Sequence, residues 1–258
     1  VYREKMDTLK ASLCEEELRQ INAKAKKLKE FQNQQDPPEA ASALPRLNME
    51  DIPKSIEKTP TRNSLIGDVP GWEHDLFTNG IAYVDLAFDL ADIPEKLQIY
   101  LPLLGKMMTG MGAAGLTYEE MAKRIALKMG GLGYNLGAGF TANGDSTWQK
   151  MIFSFKALYR NLPEAMSIIS DVLCRGDLSH EARMRDLISE RKNNLQSAIL
   201  PSGHLFARMA AGAALTLPAY RDEQWHGRTQ FKFVQATAGE FVSSKSALRD
   251  KLETLKQT

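Results

Sequence analysis

Two extended runs, Tyr134 to Ala142 and Ser146 to Leu158, flank the dipeptide Asn143-Gly144. Asn-Gly readily takes the positive φ of a tight turn, so the pair predicts an antiparallel hairpin. In the second run Met151, Phe153 and Phe155 share one face, the period-two mark of a sheet buried on one side. A further strand is predicted from Ile81 to Leu90, where Ala82, Val84, Leu86, Phe88 and Leu90 alternate after a Thr78-Asn79-Gly80 turn. Between strand and hairpin lie two helical patterns. The first opens at Asp92-Ile93-Pro94-Glu95, carries Leu97, Tyr100, Leu101, Leu104, Met107, Met108 and Met111, and ends at Gly110 and Gly112. The second starts at the capping box Thr117-Tyr118-Glu119-Glu120 and stops at Gly130-Gly131. After the hairpin come a helix from Asn161 to Leu173 with Leu162, Met166, Ile169 and Leu173 as its stripe, and a long helix from Ser179 to Leu200. Pro201-Ser202-Gly203 interrupts, helical residues resume from His204 to Leu215, Pro218 marks a loop, and a charged helix runs from Ala238 to Lys256. This order predicts an α+β fold, an antiparallel-rich sheet with helices on one face, and not a doubly wound one.

Upstream the texture changes. Residues 1–35 read as a helical hairpin arm, with apolar Met6, Leu9 and Leu13 and then Leu18, Ile21, Ala25 and Leu28. The phase slips between the sets, and Ser12-Leu13-Cys14-Glu15 reads as the capping box of the second helix. The narrow stripe of that helix predicts packing on one neighbour. Asp36-Pro37-Pro38 stops it, because proline lacks an amide donor. Residues 36–71, with Pro45, Pro53 and Pro60, read as an extended connector. The expected organisation is arm 1–35, connector 36–71, α+β domain 72–237, and a C-terminal helix 238–258 leading into a further domain. The first residues, Val-Tyr-Arg-Glu-Lys, lack an initiator Met, so a segment of a longer polypeptide is expected.

Composition excludes several classes. The 258 residues are 43% hydrophobic and 25% charged, enough to bury a core. Lys and Arg number 33 against 32 Asp and Glu, a net charge of +1 that makes no electrostatic case for nucleic acid or an anionic membrane. No apolar run approaches the ~20 residues that span a bilayer. Two isolated cysteines, Cys14 and Cys174, fit neither a disulfide framework nor a zinc ribbon and point to a reducing compartment, cytoplasm or organelle matrix.

Candidate chemistry yields to structural readings. The glycines from Gly130 to Gly139 end a helix and open a strand, the reverse of a dinucleotide loop. Gly105-Lys106 has Tyr100 where a Walker loop has its first glycine. The histidines are His74, His180, His204 and His226, none spaced for a helical ligand pair, so zinc binding is not expected. His180-Glu181 reads as a helix cap, and Ser202-Gly203-His204 as a helix break with a hydrogen-bonded His rather than nucleophile and base. Asp85 and Asp89 share a strand face and read as solvated; Cys174 before Arg175 reads as a half-buried thiol at a helix end; Met107, Met108 and Met111 read as core. No catalytic, cofactor-binding or metal-ligating residue is assigned to this chain.

The order of several segments resembles one family. These are Leu44-Pro45-Arg46-Leu47, Asp51-Ile52-Pro53, Thr78 to Asp89, Tyr100-Leu101-Pro102-Leu103-Leu104, Tyr118-Glu119-Glu120 before Gly130-Gly131, Arg160-Asn161-Leu162-Pro163, Ser202-Gly203-His204 and Trp225-His226-Gly227. Together they look like the domain that follows the catalytic half of presequence proteases, zinc metallopeptidases of the insulinase and pitrilysin superfamily. The resemblance implies a domain of the mitochondrial-processing-peptidase, metallohydrolase-like type. It also implies a parent of four such domains in two half shells, joined by a helical hairpin and closing around unfolded peptide. Its zinc ligands, His-x-x-Glu-His, belong to the first domain, on the helix after its first strand. The matching helix here offers Leu101 to Gly105, so no zinc role carries over, and the family's substrate-binding Arg and Tyr belong to the fourth domain. Expected partners are the other domains of the same polypeptide and unfolded peptides, with zinc held elsewhere in the parent. Two rival expectations are a stand-alone scaffold protein related to these peptidases and a small hydrolase using Ser202 or Cys174.

Overall fold

Cys14, not Ser12, caps the second helix of the arm. Its Sγ accepts the Glu17 amide at 3.5 Å while Glu17 Oε2 accepts the Cys14 amide at 2.8 Å, a capping box displaced from the expected one. The Ser12 hydroxyl instead donates to the Leu9 carbonyl at 2.7 Å, inside the first helix. The structure is a computed structural model that describes residues 2–45, 47–56 and 58–258. Val1 of the arm, Arg46 of the Leu44-Pro45-Arg46-Leu47 segment and Glu57 of the connector lie outside the described residues. Contacts divide the chain into two units, residues 1–75 and 76–258.

The first unit holds α1 (Tyr2–Ser12), α2 (Glu15–Asn33), α3 (Pro38–Ser42), a 3-10 turn (Met49–Asp51), and strands β1 (Arg62–Ile66) and β2 (Val69–Glu73). Pro37-Pro38 ends one helix and opens another, because proline is tolerated in a first turn whose amides are unpaired anyway. The connector is therefore less extended than expected. β1 and β2 pair antiparallel, Ile66 against Val69, around Gly67-Asp68, and Gly67 has φ +61°. A two-residue Gly-Asp loop is a hairpin signal; Pro70 and Gly71 in β2 masked it. No residue of α2 is buried: Ile21 and Leu28 are about half exposed, and the packing neighbour its stripe predicts is not among the described residues.

The second unit opens with Asn79 and Gly80, both at positive φ, closing a turn in which the Ile81 amide donates to the Thr78 carbonyl at 3.2 Å. β3 (Ile81–Asp89) follows as expected, with Val84 and Leu86 facing the core. The single helix expected after Pro94 is two, α4 (Glu95–Gln98) and α5 (Leu101–Gly110). Pro102 supplies no amide to the Gln98 carbonyl four residues back, and Trp225 Nε1 donates to that carbonyl instead at 3.2 Å. A short strand β4 (Gly112–Ala113) leads to α6 (Tyr118–Lys128), whose Thr117–Glu120 capping box forms as expected, with the Glu120 amide donating to Thr117 Oγ1 at 3.3 Å.

β5 (Leu132–Phe140) and β6 (Thr147–Leu158) form the expected hairpin, with Gly144 at φ +77° in the turn. β3 joins the far side of β6 antiparallel, so the sheet order is β3-β6-β5. Gln149, Met151, Phe153, Phe155 and Ala157 of β6 all turn inward and are buried. Each large apolar side chain taken fully from water contributes about 1.5–3 kcal/mol.

The helices that cover this face are α7 (Leu162–Arg175), then, after β7 (Gly176–Asp177), which pairs with β4, come α8 (Glu181–Ile199), α9 (Gly203–Gly212), α10 (Leu217–His226) and α11 (Arg228–Gln257). α5, α7 and α10 touch the sheet, and α8 and α11 pack on α5. Three expectations shift here. The buried stripe of α7 is Ala165, Ile168, Ile169 and Val172, while Met166 is 42% exposed. Pro218 lies in the first turn of α10, behind an N-cap at Thr216, rather than in a loop. The last helix begins at Arg228, well before Ala238, because Gln230 and Val234 are fully buried and Glu223 Oε1 accepts the Thr229 amide at 2.9 Å. Long-range burial there outweighs the weak helix propensity of Thr229, Phe231 and Phe233.

Candidate functional site

A groove of about 460 Å³ runs between the β5 edge and α10. Its strand wall is residues 136–140, and its helix wall is made by Ala219, Asp222 and His226 on one face of α10, below Thr216 and Pro218. His226 Nδ1 lies 3.1 Å from Asp222 Oδ1, and Arg208 of α9 approaches Asp222 at 3.8 Å. Burial pushes the His226 imidazole below its ordinary pKa of 6.5, with the Asp222 carboxylate opposing the shift. A neutral ring facing an ionised carboxylate carries its proton on Nδ1.

A polar clamp fixes α10 behind the groove. Arg221, 5% exposed, donates to both Glu95 carboxylate oxygens, to Gln149 Oε1 at 2.5 Å and to Gln224 Oε1 at 2.8 Å. Hydrogen bonds from Arg221 hold the Glu95 carboxyl below its ordinary value, burial opposing. Sequence reading missed Arg221, Glu95, Asp222 and the groove. The only local signal was Asp222 and His226 at i, i+4; what assembles the clamp is the packing of α10 on β5 and β6.

The sequence candidates do not converge. His74, in the first unit, lies 3.2 Å from both Thr61 Oγ1 and the Pro60 carbonyl. His180 caps α8 as read, its Nδ1 accepting the Arg183 amide at 3.1 Å. His204 is exposed and, against expectation, neither it nor the Ser202 side chain makes a hydrogen bond among the described residues; the break at Pro201 is satisfied by backbone, the Ser202 amide donating to the Ala198 carbonyl at 3.0 Å. Cys174 is exposed rather than half-buried, and Arg175 turns away from it to pair with the buried Asp171, which also accepts from Arg124 at 2.6 Å. Asp85 and Asp89 sit opposite Ser154 and Lys150 on the open sheet face, about 13 Å apart along the strand, too far for a carboxylate pair. Met107, Met108 and Met111 are core. The glycine run is structural: Gly131 has φ +127°, and Gly137 and Gly139 lie under the Trp148 indole.

The helix after the first strand of this unit is no metal site. Leu101, Leu103 and Leu104 are buried there, Gly105 packs against the Tyr134 ring, and Lys106 pairs with Glu190 at 2.8 Å. No three His, Cys, Asp or Glu side chains gather at ligand spacing among the described residues. These residues do not fit a zinc ion.

Known proteins resolve the family. The peptidase-associated family of peptidase group M16, subgroup C, matches residues 2–236. The chain belongs to that family. It is 35% identical over 218 residues to the mitochondrial presequence protease of Danio rerio, covering 84% of this chain and 21% of the relative. It is 25% identical over 253 residues to presequence protease 1, chloroplastic/mitochondrial, of Arabidopsis thaliana, covering 98% and 23% respectively. Protein HypA of Clostridium perfringens is 28% identical over 255 residues, covering 98% and 26%. The chain thus spans about a quarter or less of the curated relatives it matches. This peptidase-associated chain has no helix, among the described residues, long and apolar enough to cross a membrane.

Proposed function

We propose that this chain forms one wall of the substrate chamber of a longer zinc metalloendopeptidase that degrades unfolded peptides, with the arm of α1 and α2 as the hinge between half shells. The observation that carries this reading is the family match over residues 2–236, together with relatives named as proteases of which this chain covers a fifth to a quarter. The zinc and the water it activates belong, on this reading, to another domain of the same polypeptide. This segment contributes shape: a sheet-and-helix wall on which an unfolded chain lies while the shells close. The exposed stripe of α2, with Ile21 and Leu28 in water, is consistent with an arm that packs on other parts of the parent. Organelle matrix is the proposed compartment, following the names of the relatives.

The test is the native mass of the species that contains this segment, with its metal content. The reading expects a polypeptide several-fold heavier than 28.8 kDa carrying one zinc, whereas the isolated chain binds no zinc and cleaves no unfolded peptide. A native species of 28.8 kDa would favour a stand-alone scaffold protein, and one tightly bound zinc per isolated chain would overturn the assignment.

A further inference from the structure

The groove beside β5 is shaped for an extended chain. Successive strand residues point to opposite faces, so a groove bordered by five in a row, 136–140, meets the edge of the strand and not one face. That edge has no strand neighbour among the described residues, because β5 is terminal in the order β3-β6-β5. Unpaired edge amides and carbonyls are a template for another strand, and five residues offer an edge of ~17 Å. The opposing wall is one helix face, with Ala219, Asp222 and His226 spaced by three and four. Strand edge and helix face together supply main-chain pairing on one side and side-chain contacts on the other. Trp148 buttresses the edge from the open face: its Nε1 donates to the Phe140 carbonyl at 3.1 Å, and a Cβ at Gly139 would meet its ring at 2.7 Å.

Charge selects among peptides. Among the described residues that line the groove, Asp222 is the only one with a formal charge. Its contact with Arg208 is 3.8 Å long and that arginine side chain is 72% exposed, a pair worth about 1 kcal/mol or less that yields to a better-placed cation.

We propose that this groove binds an extended peptide by strand addition to residues 136–140 of β5, with Asp222 selecting a lysine or arginine side chain on the α10 side. The inference deepens the chamber-wall reading and rests on it for the source of the peptide.

The test uses the 258-residue chain and a fluorescent, otherwise uncharged peptide of about ten residues with one central Arg. Backbone hydrogen exchange is expected to slow by about tenfold or more among residues 136–140 on binding, and not along β3. Replacing the Arg of the peptide by Glu weakens binding about tenfold, and Asp222→Lys reverses that order. Two further peptides carry N-methyl groups on alternate amides along one edge or the other; one retains binding and the other loses it. These two leave the protein untouched, so they decide the matter even if Asp222→Lys fails to fold. Equal binding of both methylated peptides, protection at β3 instead of β5, or no binding would overturn strand addition. If the parent cleaves peptides and these arms fail, the groove proposal falls and the chamber wall stands. If the groove binds but the native species is 28.8 kDa, the chamber reading falls alone.

Discussion

Arg221 and Glu95, on helices at opposite ends of the α+β unit's sequence, meet in a fork: Nη1 donates to Oε1 at 2.8 Å and Nη2 to Oε2 at 2.6 Å. The two ends are unequal, since the arginine side chain is 6% exposed and the glutamate side chain 59%. The guanidinium also satisfies Gln149 and Gln224, so removing it orphans two buried amide oxygens.

Arg221→Met is therefore expected to destabilise the chain by about 2–3 kcal/mol, read by urea unfolding at neutral pH. The Glu95 pKa is depressed in the folded state, chiefly by the Arg221 hydrogen bonds. Its contribution is present above the ordinary value of 4.5 and is lost as pH falls through the lower folded value. The gap between Arg221→Met and the parent sequence should accordingly narrow below pH 4.5. A gap that stays constant with pH would show that the carboxylate takes no part.

Two glycine substitutions should move stability in opposite directions. A Cβ at Gly105 would lie 2.3 Å from the Tyr134 ring, which is pinned by its hydroxyl donating to the Pro102 carbonyl at 2.7 Å. Gly105→Ala should destabilise by about 1–3 kcal/mol. Gly239, inside α11, has nothing within 4 Å of its would-be Cβ. Gly239→Ala should stabilise by up to about 1 kcal/mol, both changes being read from thermal melts.

Core and arm should respond differently to truncation. Met107 is 0% exposed, and Met107→Ala is expected to cost about 2–5 kcal/mol. Leu28 is 56% exposed, and Leu28→Ala should change the stability of this chain by less than about 0.5 kcal/mol. On the proposed hinge role the same Leu28→Ala would lower turnover in the full parent, a contrast that kinetics on the parent can check.

The sulfur cap of α2 leaves room for improvement. Cys14 Sγ accepts the Glu17 amide at 3.5 Å, and a hydroxyl oxygen is the stronger acceptor. Cys14→Ser should slow amide exchange in the first turn of α2 several-fold, whereas Thr117→Ala should cost about 1 kcal/mol by opening the α6 box. Unchanged exchange in Cys14→Ser would mean that the Glu17 carboxylate alone caps the helix.

Local chemistry was legible wherever a few adjacent residues decide the backbone. Asn143-Gly144 and Asn79-Gly80 set turns, Thr117–Glu120 set a helix start, and alternation in Ile81–Asp89 and Thr147–Leu158 set the buried face of the sheet. Competing local signals misled where two devices overlap. Ser12 and Cys14 each offer a cap, Pro37-Pro38 both stops and starts a helix, and Pro218 fits a first turn as well as a loop.

By itself, then, the sequence determined an α+β unit with an antiparallel hairpin, a methionine-rich core helix and a charged arm, because turns, caps and periodicity act over a few residues. Only the tertiary structure decided the break between α4 and α5, the early start of α11, the Arg221–Glu95 fork and the groove at β5. Each of those joins groups far apart in the chain: Trp225 takes the carbonyl that Pro102 leaves free, and burial of Val234 extends a helix that propensity would not. Such pairings follow from packing α10 and α11 against the sheet and α5, an event with no local signature.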